Sequence, residues 1–214
     1  MASDVSIVNR ALTKLGADRI LLLSDDTQQA RVMNSMYADV RDAEIRRHHW
    51  KFAIKRASIP ALVAAPIWGY QYQYPVPMDY MALVQVNQFY VRSCVKGTAP
   101  WSVEGGNILT DFTAPLNIRY IARITNPGLF DALFVEALAC KLALEAAESL
   151  TQSSSKKSAA MEEYKFALSE AKRLDALENP PDELPWGSWL DSRTGPGPLG
   201  TGDDWQAFPS GVGI

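Results

Sequence analysis

Cysteine and histidine are scarce in this sequence. The chain has 214 residues with two cysteines, Cys94 and Cys140, and two histidines, His48 and His49. Two thiols are too few for a disulfide framework or a closed zinc site. Adjacent histidines on a helix point about 100° apart, so they do not fit the i, i+4 spacing of paired metal ligands. We therefore expect no metal site, and a reducing compartment.

Basic charge and long apolar runs are also lacking. The 21 Lys and Arg residues are outnumbered by 24 Asp and Glu, giving a net charge of -3, which argues against a dedicated DNA-gripping surface. No run approaches the ~18 apolar residues of a membrane span, and no basic segment followed by an apolar one opens the chain as in a secretory signal. With 47% hydrophobic residues, the composition predicts a soluble, folded, intracellular protein.

Motifs of catalysis and cofactor binding are missing as well. Residues 195–200 match GxGxxG in form, but two prolines remove amide donors and neither a strand nor a helix flanks them. We predict no catalytic, metal or cofactor-binding residue. A glycosidase-like carboxylate pair is the one chemistry that stays open, because it needs only two suitably spaced acids. The least obviously solvated candidates are Glu104, Asp111, Glu136, Glu145 and Glu148.

Hydrophobic spacing predicts four amphipathic helices. The first is capped by Ser3 and ends at Gly16. The second starts at residues 24–27 and runs to about His48, with Glu44 on its otherwise mostly apolar stripe. A third follows residues 126–128, and the serines at 153–155 cap a fourth that reaches residue 179. Cys140 falls on an apolar helix face and is expected to be a small buried hydrophobe.

Period-two spacing and strand-forming residues occupy the middle of the chain. Tyr70, Tyr72 and Tyr74 alternate with glutamines, and turn clusters such as residues 104–107 separate short apolar pairs. This pattern predicts a small antiparallel β unit built from hairpins.

The expected fold class is α+β: an antiparallel helical bundle with an inserted small antiparallel β domain and an extended C-terminal arm. The predicted parts are a helical part at 1–50, a β insertion at 51–125, a second helical part at 126–178 and the arm at 179–214. The arm holds 7 of the 13 glycines, 6 of the 13 prolines and 3 of the 6 tryptophans. Tryptophans in such a segment indicate docking, either on another protein or back on the chain's own domain.

Three stretches carry a family resemblance. They are VSIVNRALTKLG at residues 5–16, followed by the helix start SDDT, then RRHHWKFA at 46–53 and YQYQYPVPMDYM at 70–81. The last is close to a Tyr-x-Tyr-Pro-x-Pro-x-Asp pattern. In order and element type, residues 3–178 resemble the head-to-tail adaptors of short-tailed bacteriophages, the tail tubular protein A family.

The resemblance implies a non-enzymatic virion protein without cofactors or membrane contact. It would form a ring of about twelve copies under the portal protein, extend the DNA channel and provide the platform for the tail nozzle protein. Genomic double-stranded DNA would pass through without sequence-specific binding. Assembly would take place in the host cytoplasm, and the final location would be the head-to-tail interface of the virion.

Two sets of residues are predicted to carry these contacts. Aromatic anchors dominate many interfaces, so we expect the arm to bind the portal through Trp186, Trp189, Leu190, Trp205 and Phe208. Charges on the outer face of the second helix are expected to pair with a neighbouring copy, and these are Arg31, Asp39, Asp42, Arg46 and Arg47. Two other functions stay open: a cell-wall (peptidoglycan) hydrolase of the virion that uses a carboxylate pair, and a stand-alone helical binding module.

Overall fold

The computed structural model describes residues 2–91 and 100–178. Within them lie four α-helices, α1 (Asp4–Leu15), α2 (Gln28–Arg47), α3 (Ala132–Thr151) and α4 (Ser154–Leu177). The described residues between α2 and α3 form seven strands: β1 (Ile54–Ile59), β2 (Tyr72–Pro75), β3 (Tyr80–Val86), β4 (Phe89–Tyr90), β5 (Trp101–Glu104), β6 (Asn107–Thr110) and β7 (Leu116–Ala122). The predicted α+β class is confirmed. The arm and Cys94 lie outside the described residues.

Local capping chemistry sets the helix boundaries. Ser3 and Ser6 form a capping box at the start of α1, and Gly16 ends that helix at a φ of 68°, a backbone region that glycine adopts without strain. The Thr27 side chain accepts a hydrogen bond from the backbone of α2. Asp131 does the same for α3. The starts predicted for α1 and α2 are therefore confirmed.

The strands form two antiparallel sheets. One has the order β1-β7-β3-β4 and the other the order β2-β6-β5. The hairpin from β5 to β6 turns at Gly105 and Gly106, whose φ values are 56° and 79°. Two consecutive positive φ values are what a two-residue hairpin turn of the I′ kind requires. The turn predicted at residues 104–107 is confirmed.

Helix α3 forms the centre of the core. Eleven of its 20 residues are buried, and it contacts both α1 and α2. An aromatic cluster joins the end of α2 to this helix, since the ring centroids of Trp50 and Phe134 are 5.1 Å apart and those of Phe52 and Phe134 are 4.9 Å apart. Cys140 is 2% exposed, as expected for a buried small hydrophobe.

Candidate interaction surfaces

Asp42 and Arg47, two of the five charges predicted to face a neighbouring copy, make close contacts within their own chain. Asp42 lies 2.8 Å from Arg41 Nη2 and 2.8 Å from the Nε of Arg123, the residue that follows β7. Its side chain is 22% exposed. Asp42 therefore ties α2 to the four-stranded sheet, and a neighbouring copy would have to compete with two arginines for it.

Arg47 covers a buried polar pair between α2 and α4, and its own side chain is 43% exposed. Its Nε is 3.3 Å from Glu44 Oε1, and the Glu44 side chain is 1% exposed. The Tyr164 hydroxyl lies 2.9 and 3.0 Å from the two Glu44 oxygens, and the Arg47 guanidinium lies 5.8 Å from the centre of the Tyr164 ring. Burial, with the charge and hydrogen bond of Glu44, raises the pKa of Tyr164 well above its usual 10.

This cluster explains how a carboxylate can occupy the mostly apolar stripe of α2. A buried charge is tolerated when it is paired and hydrogen-bonded, and Glu44 has a cation on one side and a hydroxyl on the other. The sequence showed the acid at that position, but its partner Tyr164 lies 120 residues away. Only the packing of α4 brings them together.

The other three predicted contact residues are exposed on α2. Arg31 lies 3.5 Å from Asp26, with side chains 69% and 96% exposed, a geometry worth little in water. Asp39 and Arg46 are exposed and have no ion pair with any residue in the described ranges. These three side chains lie where a neighbouring protein can reach them.

An apolar loop between β1 and β2, residues 60–71, protrudes from the β part. Ile67 is 100% exposed and Trp68 is 85% exposed, and Val63 is just as open. The base of the loop is fixed, because Leu62 N donates to Gln73 O at 2.9 Å. Sequence reasoning missed this surface, although residues 59–78 contain no Asp, Glu, Lys or Arg. Clusters of exposed apolar side chains are typical of protein contact sites.

Each of the candidate carboxylates for hydrolysis has a contact partner of its own. Glu136 is 2.7 Å from Lys14 and 3.1 Å from Arg10. Burial by itself would raise the pKa of Glu136, but the hydrogen bond and charge of Lys14 outweigh it, and the net shift is downward. The hydrogen bond from Lys157 lowers the pKa of Glu148. A general acid at neutral pH needs a shift in the opposite direction.

The remaining three candidates are engaged at the surface. Glu145 pairs with Lys141 on the same helix, and Asp111 accepts a hydrogen bond of 2.9 Å from Gln71 N. Glu104 accepts one from the Ser102 hydroxyl at the β5–β6 hairpin. These contacts hold each acid in a local structural role.

The Tyr-x-Tyr-Pro-x-Pro-x-Asp stretch forms the junction between the two sheets. Tyr74 on β2 is fully buried, and its hydroxyl donates to Phe112 O at 2.7 Å. Asp79, just before β3, lies 2.6 Å from Lys55 Nζ and accepts a 2.9 Å hydrogen bond from Tyr120. Desolvation alone would raise the pKa of Asp79, but these two partners lower it. The resembling motif is thus built from residues that join strands.

Neither a metal centre nor a membrane span emerges from the described ranges. Residues 2–91 and 100–178 contain no group of three His, Cys, Asp or Glu side chains placed to hold a metal ion. Among the helices of those ranges, none is both long and apolar enough to cross a membrane. The predicted arm anchors, Trp186, Trp189, Leu190, Trp205 and Phe208, lie outside the described residues.

Comparison with known proteins adds no relative. No model of a known protein family matches the chain, and no curated protein gives a significant match. The adaptor resemblance therefore rests on the three sequence stretches themselves.

Proposed function

We propose that this protein is a structural head-to-tail adaptor of a short-tailed phage virion. Copies of the chain assemble into a ring under the portal protein, continue the DNA channel and present a platform to the tail nozzle. The observation that carries this proposal is the protruding β1–β2 loop, in which Val63, Ile67 and Trp68 meet only solvent over most of their surface. An isolated chain gains nothing from such a loop, whereas a partner that covers it removes apolar area from water.

The outer face of α2 supports a ring. Arg31, Asp39 and Arg46 are exposed on α2 and present charges of both signs. In a closed ring every copy makes the same contact through two different surfaces, so a modest interaction is repeated around the circle. We assign the lateral contact to these three residues and the nozzle platform to the β1–β2 loop.

The composition fits a channel through which DNA moves. The 24 acidic residues slightly exceed the 21 basic ones, and each basic contact to a phosphate would add to the grip on the duplex. A ring without a basic excess lets the genome slide during ejection. The arm, with Trp186, Trp189 and Trp205 as anchors, is assigned to the portal.

Mass measurement with and without the cognate portal ring tests the assembly. We expect the chain alone to stay small and the mixture to give a portal-bound ring, seen as about twelve-fold density by electron microscopy. The double variant Arg31→Glu/Arg46→Glu should abolish the ring while leaving the fold intact. A chain that stays monomeric beside the portal would contradict the adaptor proposal.

Two further variants separate the surfaces. Ile67→Ser/Trp68→Ser should form the portal-bound ring but fail to bind the nozzle protein, while the matched control Phe166→Ser, on the exposed side of α4, should do both. Alanine at Trp186, Trp189 and Trp205 together should prevent portal binding. Unchanged portal binding in that triple variant would overturn the role of the arm.

A further inference from the structure

A polar groove crosses the outward face of the four-stranded sheet. Its volume is about 480 Å³, within the range of roughly 300–1,000 Å³ that holds small ligands. The strand register places one residue from each strand in a row across it: Arg56 on β1 pairs with Arg119 on β7, Arg119 pairs with Gln85 on β3, and Gln85 pairs with Tyr90 on β4. All four line the groove.

The positive charges of the two arginines are not neutralised by any acid in the described residues. The residues lining the groove include no Asp or Glu, and neither Arg56 nor Arg119 has an ion pair within residues 2–91 and 100–178. The Nε of Arg119 is shielded from solvent and has no hydrogen-bond partner in those ranges. Like charges directly opposite each other destabilise a strand pair, and a buried donor without an acceptor is costly. The fold does not account for two facing cations without an acid in the lining, whereas an anionic ligand would.

We propose that this groove binds a carboxylate side chain in an acidic peptide segment of a partner protein. Two neighbouring guanidinium groups match a carboxylate, because each offers paired donors to its two oxygens. The acid would lie between Arg56 and Arg119 and supply the negative charge that the groove lining lacks. This site does not depend on the adaptor proposal, since it follows from the register of the sheet.

The rest of the lining favours a peptide over a nucleic acid. Double-stranded DNA presents a regular array of phosphates and is bound through many Lys and Arg contacts, whereas this groove contains two cations and otherwise uncharged residues. Two of its three amide side chains are held by hydrogen bonds: Gln85 Nε2 donates to Asn87 O at 2.9 Å, and the backbone N of Asn117 donates to Asn87 Oδ1 at 3.2 Å. Side-chain amides carry both donors and acceptors, which suits the N–H and C=O groups of a peptide backbone.

Titration of the full chain with a short acidic peptide tests the site by NMR. The probe is acetyl-Gly-Asp-Glu-Gly-amide, followed through the Nε–Hε signals of the arginines, and the control is the peptide with Asn and Gln in place of the acids. We expect a saturable shift of the Arg56 and Arg119 signals with the acidic peptide alone. Absence of saturation, or equal binding of the neutral peptide, would overturn the proposal.

Matched variants locate the binding. Arg56→Gln and Arg119→Gln should each lower the affinity for the acidic peptide at least tenfold. The control Arg173→Gln makes the same charge change on the exposed side of α4 and should leave the affinity unchanged. Arg119→Lys keeps the charge but loses the planar fork, so it should weaken binding several-fold. An equal loss of affinity in Arg173→Gln would show that the peptide is attracted nonspecifically, and this result would contradict the proposal.

Thermal melting separates lost binding from lost folding. Because Arg56→Gln and Arg119→Gln each remove a like-charge contact, each variant should melt about 1–2 °C above the parent. A duplex DNA of twelve base pairs and inorganic phosphate complete the experiment. If either shifts the same signals at a lower concentration than the peptide does, the groove is a phosphate site and the peptide assignment is wrong.

Discussion

The helical part and the β part of this molecule use their side chains very differently. In α3, eleven of 20 residues are buried, whereas β1 buries one of its six, Ile59. The exposed apolar loop and the arginine groove both lie in the β part. Each part is itself uneven, since α4 buries three of its 24 residues and β7 buries five of its seven. The comparison teaches that the central helix and the inner strand supply the core, while the edge strand β1 and the loop after it display surfaces that the folded chain alone does not need.

The largest loss of stability is expected from a substitution in the centre of the helical part. Phe134 is fully buried and touches Trp50, Phe52 and Phe130, so Phe134→Ala should lower the free energy of unfolding by about 3–5 kcal/mol. Urea denaturation measures this. The control Phe166→Ala, at an exposed position, should change it by less than about 0.5 kcal/mol. Equal losses in the two variants would contradict the assignment of the core to α3.

The next largest loss of stability is expected at the buried polar contact between α2 and α4. Tyr164→Phe removes the hydroxyl that lies 2.9 and 3.0 Å from the Glu44 oxygens, and hydrogen bonds to charged groups contribute about 1.5–3 kcal/mol. Chemical denaturation at neutral pH should show a loss in that range. Tyr90→Phe, whose hydroxyl has no hydrogen-bond partner within the described ranges, should cost less than about 0.5 kcal/mol.

The same tyrosine makes stability depend on pH at the alkaline end. The pKa of Tyr164 is raised above its usual value of 10.0 in the folded state, so the folded chain holds this proton more tightly than the unfolded chain does. This contribution is fully present below about pH 10 and is lost as the pH rises further. The difference between parent and Tyr164→Phe should therefore shrink above pH 10, and a constant difference would show that the hydroxyl does not titrate with folding.

A smaller effect is expected at the junction of the sheets. Asp79→Asn weakens the contacts to Lys55 and Tyr120, and because the acid is partly exposed we expect a loss of about 1 kcal/mol at neutral pH. The pKa of Asp79 is lowered from 3.8, so its contribution is present above about pH 4 and is lost as the pH falls through the folded value. The free energy of unfolding of Asp79→Asn should therefore fall less steeply than that of the parent as the pH drops below about 4. If Asp79→Asn lost more unfolding free energy than Tyr164→Phe, the expected ranking of the helical contact above the sheet junction would be wrong.

The smallest effect on stability belongs to the protruding loop. Trp68 is 85% exposed, so Trp68→Ser should change the free energy of unfolding by less than about 0.5 kcal/mol. Under the adaptor proposal, the same variant should weaken binding of the nozzle protein, measured by co-sedimentation. A substantial loss of stability would show that the loop belongs to the core after all.

Much of the fold could be predicted because its determinants are local. Ser3, Thr27 and Gly16 act within one turn of the residues they cap, and such short-range contacts are visible as spacing in the sequence. The hairpin turn at residues 104–107 is local in the same sense. The candidate surfaces were harder to predict, because the contacts of Asp42 and Arg47 depend on partners supplied by Arg123, which follows β7, and by α4.

The sequence by itself determined the helix ends, the β character of the middle segment and the α+β class. Only the tertiary structure decided that Arg56 stands opposite Arg119, that Glu44 meets Tyr164 and that the β1–β2 loop points its apolar residues into solvent. The physical reason is the range of the interactions. A cap satisfies a backbone group a few residues away, whereas strand register and burial are set by packing between segments separated by dozens of residues.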